Sequence, residues 1–322
     1  MEHISPIRKG LRTGTAAGFI VLGLALYALL FAAAEWLVYR NGQMNPIFKI
    51  ETAERQEFDW VILGASHAMP LDFDDFNDDM ERRTGKAILN LAGPGTGPLY
   101  NRFALEHFLY KHRALNVLYV ADSFAFRSPM WNEERLSDAK LLARTPFSPI
   151  IAGSLVGYVM HEGVDPLALL DYLTGFSKIN NRRRFSQDVW EGEASFDRAF
   201  KPSATAEKKR VEYLYPPVTD EPAIRDRYFR DFTRLIATAK HHGARVTVAK
   251  FPLPPRFKAL LRDEAEFGAA LQALAIDQGV AFVDFSDVLT EFIYYADTDH
   301  LNRAGLSLFF ELHLMKLFMA QQ

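Results

Sequence analysis

With 322 residues, 49% of them hydrophobic and 13% aromatic, the chain can bury a full-sized core, as one domain with appendages. A formal net charge of -3 gives none of the basic excess that nucleic acid demands, so DNA and RNA are set aside as partners. Cysteine is absent, which excludes a disulfide framework and a thiolate metal site.

The first element is a run without charge, Thr13–Ala34 (TGTAAGFIVLGLALYALLFAAA). Its roughly 22 residues are about what a helix needs to cross the hydrocarbon core. Arg8, Lys9 and Arg12 precede it, whereas Glu35 and Arg40 nearly cancel after it, so the positive-inside bias puts the N-terminus in the cytoplasm. We therefore expect a cytoplasmic tail over 1–12, an anchor over 13–35, a juxtamembrane linker over 36–55 and a folded domain over 56–322 outside the cytoplasm. Trp36 and Tyr39 would be interfacial aromatics. A cleaved signal peptide is the competing reading, since Ala32–Ala34 would suit a peptidase; the length of the apolar run favours an anchor.

Beyond the anchor, short apolar runs alternate with amphipathic segments. Strands are predicted at Trp60–Leu63, Ala87–Leu91, Val117–Ala121, Arg245–Lys250 and Ala281–Phe285. Helices are predicted at about Phe73–Thr84, Leu99–His112, Ala223–His242, Phe257–Gln278 and Arg303–Met319, with Gly243 and Gly279 placed as C-caps. Strands without strict alternation, each followed by a helix, imply an α/β fold whose parallel sheet is covered on both faces. The segment from Arg127 to about Pro217 breaks this rhythm and reads as a partly helical insertion over the carboxyl edge of the sheet. Its basic run, Asn180–Phe185, reads as a solvated face.

Ser66, in VILGASHAMPLDF (Val61–Phe73), follows the first strand directly, at the sheet edge where open α/β folds bind ligands. Taken alone it has two readings, a nucleophile or the cap of a helix that Pro70 opens. A second segment bears on the choice. YYADTDHLNRAG (Tyr294–Gly305) lies between the last strand and the last helix and contains D-x-x-H as Asp297 and His300. A histidine there reaches the same sheet edge, where it could take the serine proton while the carboxylate holds its other nitrogen. Asp299 is expected to point away from the ring.

The order G-x-S after strand one, a glycine-bearing loop after strand two and D-x-x-H before the last helix resembles the SGNH/GDSL hydrolase superfamily, over about Phe58 to the C-terminus. The N-terminal anchor, with G-A-S-H in place of G-D-S-L, is similar to envelope proteins that acylate or deacylate cell-surface polymers, such as alginate O-acetylation proteins and the D-alanine transfer protein of teichoic acids. The resemblance implies a flavodoxin-like three-layer fold, with Ser66 as nucleophile, His300 as base and Asp297 as its orienting acid. It also implies an oxyanion hole from the N–H groups of Ser66 and Gly93. The superfamily asparagine of G-x-N-D is missing, because the third strand leads into Asp122–Ser123–Phe124. Asp122, Ser123, His67 and Asn90 are candidate substrate-binding residues, Asn90 reading first as a strand-end residue.

The expected function is a serine O-acyltransferase or acyl esterase anchored in a bacterial inner membrane by residues 13–35, with its domain in the periplasm. It would act on a cell-surface glycan and work beside a multi-span membrane acyltransferase. The alternative is a catalytically degenerate module that binds glycan or assembles with that acyltransferase. No cofactor or metal is expected. GPGTG (Gly93–Gly97) lacks the spacing of a dinucleotide fingerprint and the P-loop Lys-Ser/Thr pair. The acidic cluster Asp72–Asp79 lacks a calcium loop's glycine and reads as a solvated helix face. His241 and His242 complement a helix dipole ahead of Gly243.

Overall fold

Five strands form one parallel sheet in the order β2-β1-β3-β4-β5: β1 (Glu57–Gly64), β2 (Ile88–Asn90), β3 (Arg113–Val120), β4 (Arg245–Lys250) and β5 (Ala281–Asp284). The computed structural model describes residues 6–42, 44–138, 141–186, 189–190 and 192–320, except the side chains of residues 6–14 and 184. The carboxyl halves of β1 and β3 lack an apolar/polar alternation because both sheet faces are covered there. Val61 and Leu63 of β1 point into one core with Phe103, Phe108, Phe232 and Leu271, while Trp60 and Ile62 point into the other with Met80, Leu306 and Phe318. α4 (Pro98–Lys111), α10 (Glu221–His241) and α12 (Glu264–Gln278) make the first layer; α3 (Phe76–Thr84), α13 (Arg303–Phe309) and α14 (Met315–Ala320) make the second. The chain thus has the expected three-layer α/β architecture, and its strand order puts the topological switch between β1 and β3.

α1 (Pro6–Asn41) is one continuous helix, and its Thr15–Asn41 part is long and apolar enough to cross a membrane. Residues 15–30 are exposed on every side. An apolar stretch exposed on every side has the character of a membrane span or a signal sequence.

Several elements depart from expectation. The segment read as a linker carries α2 (Pro46–Thr52), capped by Asn45, whose Ile47 and Ile50 enter the core. The single helix expected at Phe257–Gln278 is split into α11 (Pro255–Lys258) and α12, because Asp263 takes a left-handed conformation (φ 49°) where Arg127 holds its carboxylate. A π-turn at Phe310–Leu314 interrupts the last helix. Asp72 is no solvated carboxylate: it is mostly buried and paired with Lys49. Gly279 caps α12 at φ 61°, but α10 is capped by His242, and Gly243 follows it at φ 83°.

The insertion between β3 and α10 is built of α5 (Glu133–Leu136), α6 (Pro149–His161), α7 (Pro166–Thr174), α8 (Phe176–Asn180) and α9 (Ala204–Leu214). It folds back over the carboxyl edge of the sheet and walls a cavity there.

Candidate active site

β1 ends at Gly64, whose φ of 144° is one that L side chains rarely adopt and whose absent Cβ would lie 2.6 Å from the Val120 carbonyl of β3. Glycine there lets β1 stay against β3 while the chain turns out of the sheet. Ser66 then opens a 3-10 turn, Ser66–Asp72, that contains Pro70. It is not a cap for α3, which starts ten residues later at Phe76. Its hydroxyl instead lies 2.9 Å from His300 Nε2.

His300 comes from a small hairpin between β5 and α13, pinned by the Tyr295–Leu301 bridge. Asp297 organises that hairpin, its Oδ1 accepting from the backbone N–H groups of Asp299 (3.0 Å) and His300 (2.9 Å). The same carboxylate is 2.9 Å from His300 Nδ1 through either oxygen. Burial pushes the Asp297 carboxyl up, but the His300 charge and hydrogen bond outweigh it and hold the group below its ordinary range. An ionised acceptor on Nδ1 selects the tautomer whose Nε2 lone pair faces Ser66.

A second charge network lies beneath. His67 Nδ1 is 2.5 Å from Asp122 Oδ1, and its Nε2 is 3.2 Å from Asp299 Oδ2. Asp299 also accepts from Arg210 Nε (3.1 and 3.0 Å to its two oxygens), Arg210 Nη2 (2.9 Å) and Thr298 Oγ1 (2.6 Å). Burial opposes a charge on His67, yet the two carboxylates overcome it and push the imidazole up to about 10. Burial likewise opposes ionisation of Asp299, and Arg210, His300 and His67 hold it well below the carboxylate range. His67 is therefore a buried imidazolium that donates from both nitrogens. Ligand atoms of His67, Asp299 and His300 fall within 4.8 Å of one another, as a metal site would need. Arg210 and protonated His67 already satisfy Asp299, so this arrangement holds protons in place of a cation.

Several candidate residues stand elsewhere than expected. Asp299 does not point away from His300, since its Oδ1 lies 3.6 Å from Nδ1. His67 and Asp122 lie under the cavity floor, and neither lines the cavity. Ser123 is turned from it, bonded to Glu264 (2.5 Å) and Tyr215 (2.7 Å). Asn90 donates to the Ala68 carbonyl and accepts from Ala92 N–H (both 2.9 Å), which makes it a strand-end brace. The Gly93 N–H donates to the Gly64 carbonyl (3.3 Å) and is not free for an oxyanion. By contrast, the N–H groups of Ser66 and Gly95 meet no acceptor among the described residues, and both residues line the cavity.

The cavity over Ser66 and His300 has a volume of about 410 Å³. Phe124, Trp131, Trp190, Phe196 and Tyr213 supply aromatic walls, and Arg135 and Arg210 supply charge. Sequence reasoning missed Arg210 and these walls. All but Phe124 sit in the insertion, where nothing local distinguishes the arginine of AEKKRVEYL from any solvated one.

No protein-family model matches the chain, and no curated protein does. Among solved structures it is similar to a Bacteroides fragilis NCTC 9343 protein described as a "putative acylhydrolase". The two are 12% identical with a TM-score of 0.43, over 84% of this chain and 90% of that one. A likeness so distant says nothing of activity, and the site stands on its own geometry.

Proposed function

We propose that the protein is a serine O-acyltransferase or acyl esterase, anchored by α1 and acting outside the cytoplasm on an O-acyl group of a cell-surface glycan. The observation that carries this reading is the continuous hydrogen-bonded line from Ser66 Oγ through His300 to Asp297, on the floor of an aromatic-walled cavity. Ser66 Oγ attacks the acyl carbonyl as its proton passes to His300 Nε2. Collapse of the tetrahedral intermediate breaks the ester bond, and the imidazolium returns the proton to the departing alkoxide. A sugar hydroxyl or water then attacks the acyl-serine, with His300 again as base. Ser66 and Gly95 N–H groups are the donors available for the oxyanion, where the superfamily resemblance implies Ser66 and Gly93. Tryptophan and tyrosine faces suit the apolar faces of sugar rings.

An enzyme outside the cytoplasm has no access to cytosolic acyl-CoA, so a transferase here would receive its acyl group from a multi-span membrane partner. We place the domain in the periplasm of a cell with a bacterial inner membrane. The second reading, a degenerate module that binds glycan or this partner, draws on Asp122: a carboxylate replaces the oxyanion asparagine and is committed to His67. One experiment separates the two. A fluorophosphonate should label Ser66, and Ser66→Ala should remove both labelling and aryl-acetate turnover with the melting temperature unchanged. A folded wild-type protein that resists the probe yet binds glycan would establish the module instead.

A further inference from the structure

α7 and the start of α8 carry Leu167, Leu170, Leu173 and Phe176 on the outside of the insertion, 66%, 55%, 48% and 62% exposed. The inward side of α7 is already occupied, with Ala168 and Tyr172 in the core. A helix that is apolar on its outward side as well cannot be explained by packing within this chain.

Its neighbour identifies what covers it. Tyr27 Oη of α1 donates to the Thr174 carbonyl at 3.0 Å, the Phe31 ring packs on Gly175 so closely that a Cβ there would sit 2.5 Å from it, and Glu35 pairs with Lys178. These contacts follow one stripe of α1, at spacings of four residues. The apolar run of α1 ends at Ala34. At about 1.5 Å per residue, Tyr27 lies roughly 10 Å inside that end and Phe31 roughly 5 Å inside it. Whatever touches Tyr27 and Phe31 is therefore held about 5–10 Å below the bilayer surface, the depth of an interfacial helix.

We propose that the outer face of α7 and α8 is a second membrane-contacting surface, seated in the same leaflet from which α1 emerges and covered by lipid acyl chains. It rests on the reading of α1 as a transmembrane anchor. The exposed basic residues Arg182 and Arg183 follow directly and are placed to meet anionic headgroups, while Phe185 (68% exposed) extends the apolar surface. The turn Arg182–Phe185 also packs against α1 and gives Arg183 to the cavity wall. One wall of the cavity is thereby held near the lipid surface, where a membrane-bound donor or a lipid-linked glycan would present its acyl group.

The lack of cysteine makes the test direct. The full chain, carrying one of Leu22→Cys, Leu170→Cys, Phe176→Cys or Ile276→Cys, is labelled with an environment-sensitive fluorophore. It is reconstituted in phosphatidylethanolamine–phosphatidylglycerol vesicles containing doxyl lipid, and iodide serves as the aqueous quencher. Labels at 22, 170 and 176 should lose most of their emission to doxyl lipid, and the label at 276, on exposed α12, should lose it only to iodide. Lipid quenching at 22 with iodide quenching at 170 and 176 overturns the second surface and leaves the anchor standing. Shielding of 170 and 176 from both quenchers also overturns it and points to a protein cover. Absence of lipid quenching at 22 overturns the anchor and this surface together.

Discussion

A histidine that takes a proton from a hydroxyl must be neutral at one nitrogen and held at the other, and Asp297 performs the holding with the same carboxylate that folds its loop. Asp297→Asn should lower kcat/KM for an aryl acetate by about 10²–10⁴-fold, the range that positioned acid–base groups supply, with little change in melting temperature. Asp299 cannot take over despite its 3.6 Å approach, because Arg210, Thr298 and His67 already engage it. A near-normal rate in Asp297→Asn would transfer the orienting role to Asp299. The Asp297–His300 contact was legible in the sequence because it is three residues long. The His67 contacts were not: their partners lie 55 and 232 positions away, and a histidine beside a candidate nucleophile reads more readily as pocket lining than as a buried cation.

At the scale of the element, the turn out of β1 is the most demanding piece of backbone near the site. Gly64→Ala would put a Cβ against the Val120 carbonyl at a φ suited to glycine. The expected cost is at least about 1–3 kcal/mol in urea unfolding, accompanied by loss of labelling at Ser66 as its turn shifts. A variant with unchanged stability and labelling would show that the β1–β3 approach has slack. Strands were the best-read elements, β4 to the residue, because a central strand covered on both faces gathers β-branched residues, here Val246, Thr247 and Val248, between the charged ends Arg245 and Lys250. β5 is the exception in burial: it is an edge strand, less covered than its apolar sequence suggests. The break at Asp263 escaped notice because it depends on Arg127, far away in sequence, and α2 because its seven residues are too few to show a helical period.

Over the whole molecule, Asp122, His67, Asp299 and Arg210 join four segments that sequence separates: the end of β3, the turn after β1, the His300 hairpin and α9 of the insertion. The insertion is thus fastened to the sheet edge by buried charges as well as by apolar packing, and this fastening should be visible in the pH dependence of stability. His67 titrates at about 10 in the folded chain. In the unfolded chain it titrates near ~6.5. Its contribution is therefore complete below the unfolded value and is lost as pH rises through the folded one. Asp299, depressed on folding, behaves oppositely: its contribution is present above the ordinary carboxylate range and is lost as pH falls through its lower folded value. A plateau should lie between about pH 4 and 6.5, followed by a decline of at most ~1.4 kcal/mol per pH unit toward alkali. His67→Gln should be less stable at neutral pH, by about 3–5 kcal/mol if the unpaired carboxylates stay buried. The sharper expectation is that its stability falls less between pH 7 and 9 than the wild type's, because in this window the folded His67 imidazole keeps a proton that the unfolded chain releases. Parallel slopes for the two proteins in chemical denaturation would mean that His67 is neutral when folded, and that Asp122 and Asp299 are held by other charges.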